Sequence, residues 1–157
     1  MDQPKETIIG VISDTHGLMR PEAMVVLQGV DLILHAGDVG DAKVLETLSE
    51  IAYLAAVRGN NDKGAWADKL SQWEVVQVGT SYIYMIHDLK EIDLNPDAAG
   101  FQVVVSGHSH QPVITERKGV LFVNPGSAGP CRFKLPVTLA RLQIKGTAVS
   151  AEIINLL

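Results

Sequence analysis

Three short apolar runs set the framework of this chain: Ile8 to Ile12, Leu32 to Ala36 and Tyr53 to Val57. Each is too short for a helix, and none alternates with polar residues in the manner of a half-exposed strand. Each therefore reads as a strand covered on both faces. Two helical stretches separate them. Pro21 suits the first turn of a helix running to about Gln28. Asp41 stands where a second helix needs its cap, and there Val44, Leu45, Leu48 and Ile51 fall on one face. Strand, helix, strand, helix, strand implies parallel strands joined by right-handed crossovers.

The second half changes pattern. Glu74 to Val78 and Ser81 to His87 read as strands joined at Gly79-Thr80, and Val103 to Ser106 is a further short one. Lys118-Gly119 joins Val113–Arg117 to Val120–Asn124, and Lys145-Gly146 joins Val137–Ile144 to Thr147–Ile154. Both are hairpin signals, so this half is expected to be mostly antiparallel. The expected fold is α/β: two packed, mixed sheets with helices outside. At 157 residues the chain fits one domain, residues 1–157.

The hard ligands cluster where the strands end. In open α/β sheets ligands bind beyond the carboxyl ends of the strands. The first strand runs into Asp14-x-His16, the second into Gly37-Asp38 and the third into Gly59-Asn60-Asn61-Asp62. Later, one strand ends at His87 and another in Gly107-His108-Ser109-His110. Only His35, inside a strand, stands apart from these turns, and it reads as structural.

Asp14, His16, Asp38, Asn60, His87, His108 and His110 form a mixed oxygen and nitrogen set. Such donors suit Mn, Fe, Zn, Ni or Co better than Ca or Mg. Seven are too many for one ordinary site. Two ions ~3.5–4 Å apart that share one carboxylate would use them all. A dimetal-bridging hydroxide would then attack phosphorus in line, with no Ser or Cys nucleophile. Cys131 in any case has no sequence neighbour to activate it.

Charge and composition narrow the partners. Thirteen Lys and Arg stand against 18 Asp and Glu, a net charge of −5. That argues against a nucleic-acid partner. It does not exclude a phosphate-bearing substrate, because bound cations reverse the local sign. The single cysteine cannot form an internal disulfide, which fits a reducing compartment. No apolar run approaches the ~18 residues of a membrane helix. The stretch from Met1 to Thr7 carries Asp2, Lys5 and Glu6 and lacks the charge pattern of a secretion signal. A cytoplasmic protein with no membrane partner is expected.

The blocks Asp14-x-His16, Gly37-Asp38, Gly59-Asn60-x-Asp62, His87, Gly107-His108-Ser109-His110 and Asn124-Pro125-Gly126-Ser127 occur in an order that resembles the calcineurin-like metallophosphoesterase superfamily. The short chain and the Asn-Pro-Gly-Ser block resemble its small YfcE-like phosphodiesterase branch. The resemblance spans Ile8 to about Arg132. It implies a four-layer α-β-β-α sandwich and hydrolysis of small phosphodiesters, with phosphomonoesters as a side activity. It assigns Asp14, His16, Asp38 and His110 to one metal, and Asp38, Asn60, His87 and His108 to the other, with Asp38 bridging. Manganese is the ion it implies, and a homodimer is the family-level expectation.

Three departures stand out. Many superfamily members carry a histidine after the Asn ligand, a candidate general acid; here the residue is Asn61, which has no useful proton at neutral pH. Esters with good leaving groups are therefore expected to react best. The usual His-Gly-His near the fifth strand is here His87-Asp88-Leu89, which sets a further carboxylate near the ions. Past Asn124, the segment Pro130-Cys131-Arg132 carries an extra residue, and Arg132 is a candidate phosphate clamp.

Asn61 and Asp62 divide between catalytic support and turn chemistry. Asn124 reads either as a substrate contact or as a turn residue. Trp66, Trp73 and Phe133 read as packing or rim residues. A different class of function also fits. A eukaryotic retromer subunit resembles this branch, and a non-catalytic interaction scaffold with a vestigial metal site is the alternative expectation.

Overall fold

The computed structural model describes residues 5–132 and 134–157; Phe133 and the first four residues lie outside the described set. The first half forms β1 (Glu6–Ile12), α1 (Pro21–Leu27), β2 (Leu32–His35), α2 (Ala42–Ile51), β3 (Tyr53–Ala56) and a short α3 (Ala65–Asp68). β4 (Trp73–Val78) and β5 (Ser81–Ile86) follow. A 3-10 turn at Leu89–Glu91 and α4 (Pro96–Ala99) lead to β6 (Val103–Val105). The chain ends in two hairpins, β7 (Val113–Arg117) with β8 (Val120–Asn124) and β9 (Thr138–Lys145) with β10 (Ala148–Asn155).

The strands form two five-stranded sheets. The first has the order β10-β9-β1-β2-β3 and the second β4-β5-β6-β8-β7. β1, β2 and β3 run parallel, with Ile9 opposite Leu32 and Leu32 opposite Tyr53. In the second half the three central strands also run parallel, with Ile83 beside Val103 and Val103 beside Leu121. The expected antiparallel pairing holds for β4 with β5, for β7 with β8 and for β9 with both β1 and β10, but not for β5, β6 and β8. The reason is the segment between β5 and β6, which crosses over the sheet instead of turning back beside it.

Side-chain alternation along the strands divides the core into layers. Between the sheets, Ile9, Val11, Leu34 and Leu142 meet Ile83, Met85, Val103 and Val123. On the outer face of the first sheet, Ile12, Ile33 and Leu139 pack against Ala23, Leu27, Val44 and Leu48 of α1 and α2. A Cβ on Gly10 would lie 2.2 Å from Leu27 Cδ2, so glycine lets α1 sit directly on β1. α2 begins where the sequence marks it: Asp41 accepts the Lys43 N–H at 2.9 Å, a cap that contributes roughly 1 kcal/mol. The outer face of the second sheet is covered more thinly, by Leu89, Ile92 and Phe101 against Tyr84, Val104 and Val120. This is the expected four-layer sandwich of two mixed sheets, with one helical layer reduced to short turns.

Candidate metal centre

The loops after β1, β2 and β3 meet those after β5 and β6 at one edge of the sandwich. They are stitched to one another by main-chain bonds. The N–H groups of Asp14, His16 and Gly17 donate to the carbonyls of Gly37, Asp38 and Val39 at 3.0, 3.0 and 2.8 Å. Gly107 N–H donates to His87 O at 2.9 Å. Asp14, His16, Asp38, His108 and His110 all have positive φ, between 46° and 72°. Left-handed backbone is uncommon outside glycine and costs of order 1–2 kcal/mol per residue. Strain of this kind concentrates at functional sites. Here it falls on five of the seven ligand candidates.

Two groups of donors converge there. Asp14, His16 and His110 form one, and Asp14, Asp38 and His87 the other, with donor atoms close enough in each to share one cation. Asp14 Oδ2 is committed to Ser13 Oγ at 2.6 Å and to the His108 N–H at 3.1 Å. That leaves Asp14 Oδ1 buried without a hydrogen-bond partner. It lies 3.3 Å from His110 Nε2 and 3.8 Å from His16 Nε2. Asp38 Oδ2 lies 3.7 Å from His16 Nε2 on one side and 3.3 Å from His87 Nε2 on the other. Asn60 Oδ1 sits between His87 Nε2 at 3.0 Å and His108 Nδ1 at 3.2 Å.

The tautomers sharpen the picture. His87 Nδ1 donates to Ala36 O at 2.7 Å. In the neutral ring Nε2 is then a bare lone pair facing oxygens of Asn60, Asp38 and Asp14. Acceptors that face acceptors need a proton or a cation between them. His16 Nε2 and His110 Nδ1 are likewise buried without partners. Buried orphans of this kind are rare, and together with the mixed nitrogen and oxygen donors they fit divalent transition metals.

Burial alone would raise the Asp38 carboxyl, but hydrogen bonds from His87 and Asn61 and the charge of His87 hold it well below the usual carboxylate range. Burial alone would lower His87; its bond to Asp38 and the charges of Asp14 and Asp38 raise it instead. His110 is lowered, by burial first and then by Arg132 and His16 against the pull of the two carboxylates.

The remaining candidates take different places. Asn61 pins Asp38 from both ends, its backbone N–H to Oδ1 at 2.9 Å and its Nδ2 to Oδ2 at 3.1 Å. Asp62 turns away from the cluster. Its buried carboxylate accepts the N–H groups of Val39, Gly40 and Gly59 at 3.2, 2.9 and 2.9 Å, tying the turns after β2 and β3 together. Asn124 spends its amide on the His108 turn, donating to Gly107 O and Ser109 Oγ at 3.0 Å each. Arg132 is exposed beside the centre. Asp88 caps the 3-10 turn through Lys90 N–H at 3.0 Å and holds its other oxygen 3.7 Å from His108 Nε2.

His35 is wholly buried and structural. Gly37 N–H donates to its Nδ1 at 3.1 Å, so Nε2–H faces Thr15 Oγ1 at 3.0 Å, and Thr15 donates on to Val39 O at 2.8 Å. Trp66 packs in the helical layer and Trp73 lies exposed against Tyr84. Sequence reasoning passed over Ser13, whose signal was a lone hydroxyl at the strand end just before Asp14.

A family model described as the calcineurin-like phosphoesterase superfamily domain matches residues 8–147. A curated relative from Methanothermobacter thermautotrophicus, named "Probable metallophosphoesterase", is 35% identical over 94% of this chain and 92% of its own. Among solved structures, a novel archaeal phosphodiesterase superposes with a TM-score of 0.77 at 22% identity, covering 94% of this chain and all of that one. Vacuolar Protein Sorting 29 from Cryptosporidium parvum superposes with a TM-score of 0.78 at 18% identity, covering 98% of each chain.

Proposed function

The chain belongs to the calcineurin-like phosphoesterase superfamily, and we propose that within it this protein is a metal-dependent phosphodiesterase acting on small phosphodiesters. The observation that carries the proposal is the convergence of His87 Nε2 on Asp38 Oδ2 at 3.3 Å, with Asp14 Oδ1 and His110 Nε2 3.3 Å apart in the adjoining group. In this reading Asp14, His16, Asp38 and His110 hold one divalent cation. Asp38, Asn60, His87 and His108 hold a second, with Asp38 shared; manganese is the ion we favour. When bound, such a pair supplies a water of lowered pKa and neutralises charge that develops on the phosphoryl oxygens.

The chain's own residues do the rest. Asn61 holds both oxygens of Asp38, which fixes the shared carboxylate for two partners. Asp62 and Asn124 act one step back, by holding the turns that carry Asn60 and His108. Arg132, exposed beside the centre, would meet a phosphate group with two hydrogen bonds. Asn61 donates hydrogen bonds but no proton, so the leaving oxygen must depart largely unprotonated. This favours diesters of acidic alcohols.

The test is hydrolysis of bis(4-nitrophenyl) phosphate with Mn2+. The wild type should turn it over, and Asp38→Asn should lose activity by more than about a thousandfold while keeping its circular dichroism. Retained activity in that variant refutes the mechanism. A second reading is an interaction scaffold. It is favoured by Asn61 and by the apolar residues Trp73, Val75 and Tyr82, exposed on the outer face of the second sheet. Tight binding of a protein partner with no turnover under any divalent metal would favour it.

A further inference from the structure

Beside the metal centre lies a cation to which the hydrolytic reading gives no role. On the outer face of the second sheet a cavity of about 550 Å3 opens at Asp88, His108 and Asn124 and extends to Arg117. Its floor follows from register. Residues 113, 115 and 117 of β7 share one face, as do residues 120, 122 and 124 of β8. Val113 pairs with Asn124, Thr115 with Phe122 and Arg117 with Val120. The floor therefore runs from Asn124, at the His108 turn, over Val113, Thr115 and Phe122, with Leu89 lining it as well. The turn at Lys118 and Gly119, with φ of 51° and 79°, is the two-residue type that holds this register.

Arg117 does not extend away from the site. Its guanidinium carbon stands 4.5 Å from the centroid of the Phe122 ring. That folds the charge back to the level of Phe122, two residues or roughly 7 Å of strand from Asn124. Among the described residues the arginine ion pairs are those of Arg58 and Arg141; Arg117 has none. Lys90 adds a second positive side chain to the same cavity. An uncharged arm would cover this guanidinium without pairing it, whereas an oxyanion would accept its parallel N–H groups.

We propose that the cavity receives one ester arm of the substrate, and that Arg117 selects for an arm bearing a second anionic group, a carboxylate or a further phosphate. The inference rests on the phosphodiesterase reading of the adjoining centre. It names the substrate class as small diesters with a charged arm, recognised across an apolar floor.

Two phosphinates that cannot be hydrolysed test it: dibenzylphosphinate and its analogue with a carboxylate on one ring. Each is titrated calorimetrically against the Mn2+-loaded protein, so binding is read without turnover. The carboxylated probe should bind wild type about tenfold tighter, the factor of one charge-assisted pair. Its advantage should fall below about twofold in Arg117→Ala and return in part in Arg117→Lys. Each ratio is taken within one variant, so partial misfolding does not alter it. Equal affinities in wild type, no binding of either probe, or a preference that survives Arg117→Ala overturns the proposal. Failure to hydrolyse bis(4-nitrophenyl) phosphate, with the preference intact, would instead overturn the phosphodiesterase reading alone.

Discussion

Gly59→Ala is the sharpest perturbation of the centre that leaves every candidate ligand in the sequence. A Cβ at residue 59 would lie 2.1 Å from Asp38 N, 2.2 Å from Asp38 Oδ1 and 2.8 Å from Asp38 Cα. Ordinary contact begins at 3.4 Å, so the nearest approach is short by about 1.3 Å. Backbone on both sides must yield, because the obstacle is not the end of a flexible side chain. Overpacking of this kind costs about 1–3 kcal/mol, a melting-point loss of roughly 2–10 °C for a chain of this size. The displaced atoms belong to Asp38, whose Oδ2 lies 3.3 Å from His87 Nε2 in its own donor group and 3.7 Å from His16 Nε2 in the other. Metal affinity should therefore fall about 10- to 100-fold, as for disturbed supports of metal ligands. Gly79→Ala is the control: its φ is +58° and a Cβ there meets nothing within 4 Å. It should lose about 1 kcal/mol from backbone strain and keep its metal affinity. Mn2+ titration calorimetry and thermal melts read both variants. A Gly59→Ala protein that binds Mn2+ within twofold of wild type would refute the claim that Asp38 must sit where it does.

Three further outcomes follow from the geometry. His35 is held at about 3, by burial first and then by the neighbouring His87, against about 6.5 in an unfolded chain. A lowered histidine makes the unfolded chain take up the proton first, so this contribution is intact above pH 6.5. It is lost as pH falls toward 3, at up to about 1.4 kcal/mol per pH unit. Urea melts between pH 7 and 4.5 should show a shallower slope in His35→Gln, and an unchanged slope would contradict the assignment. Asp62→Asn opposes one of three backbone donors with an NH2 group and should cost about 1–3 kcal/mol in denaturant melts; a neutral result would mean those turns hold without it. With Asn61 in place of a proton donor, the rate across aryl diesters should fall steeply as leaving-group pKa rises, and a flat dependence would reveal an acid elsewhere.

The strands were legible because their apolar runs have no helical reading, and the structure places most strand ends within one residue of those runs. The ligand cluster was legible because each of its side chains follows a strand directly. The parallel course of β5, β6 and β8 was not. Pairing direction is set by the crossover at residues 87–102, whose helical turns of three and four residues are too short to carry periodicity. The separate jobs of Asp62 and Asn124 were equally hidden. A carboxylate or amide beside a ligand can face the cation or the backbone, and only the turn geometry decides which. Arg117 reads in sequence as an ordinary hairpin residue. Its place beside the centre depends on register across two strands and on a fold back over Phe122.

Crystals grown with Mn2+ and measured at the manganese absorption edge test the account most directly. Two anomalous peaks about 3.5–4 Å apart are predicted, one among Asp14, His16 and His110, the other among Asn60, His87 and His108, with Asp38 between them. Peaks elsewhere, or an empty cluster with Mn2+ in excess, would contradict it.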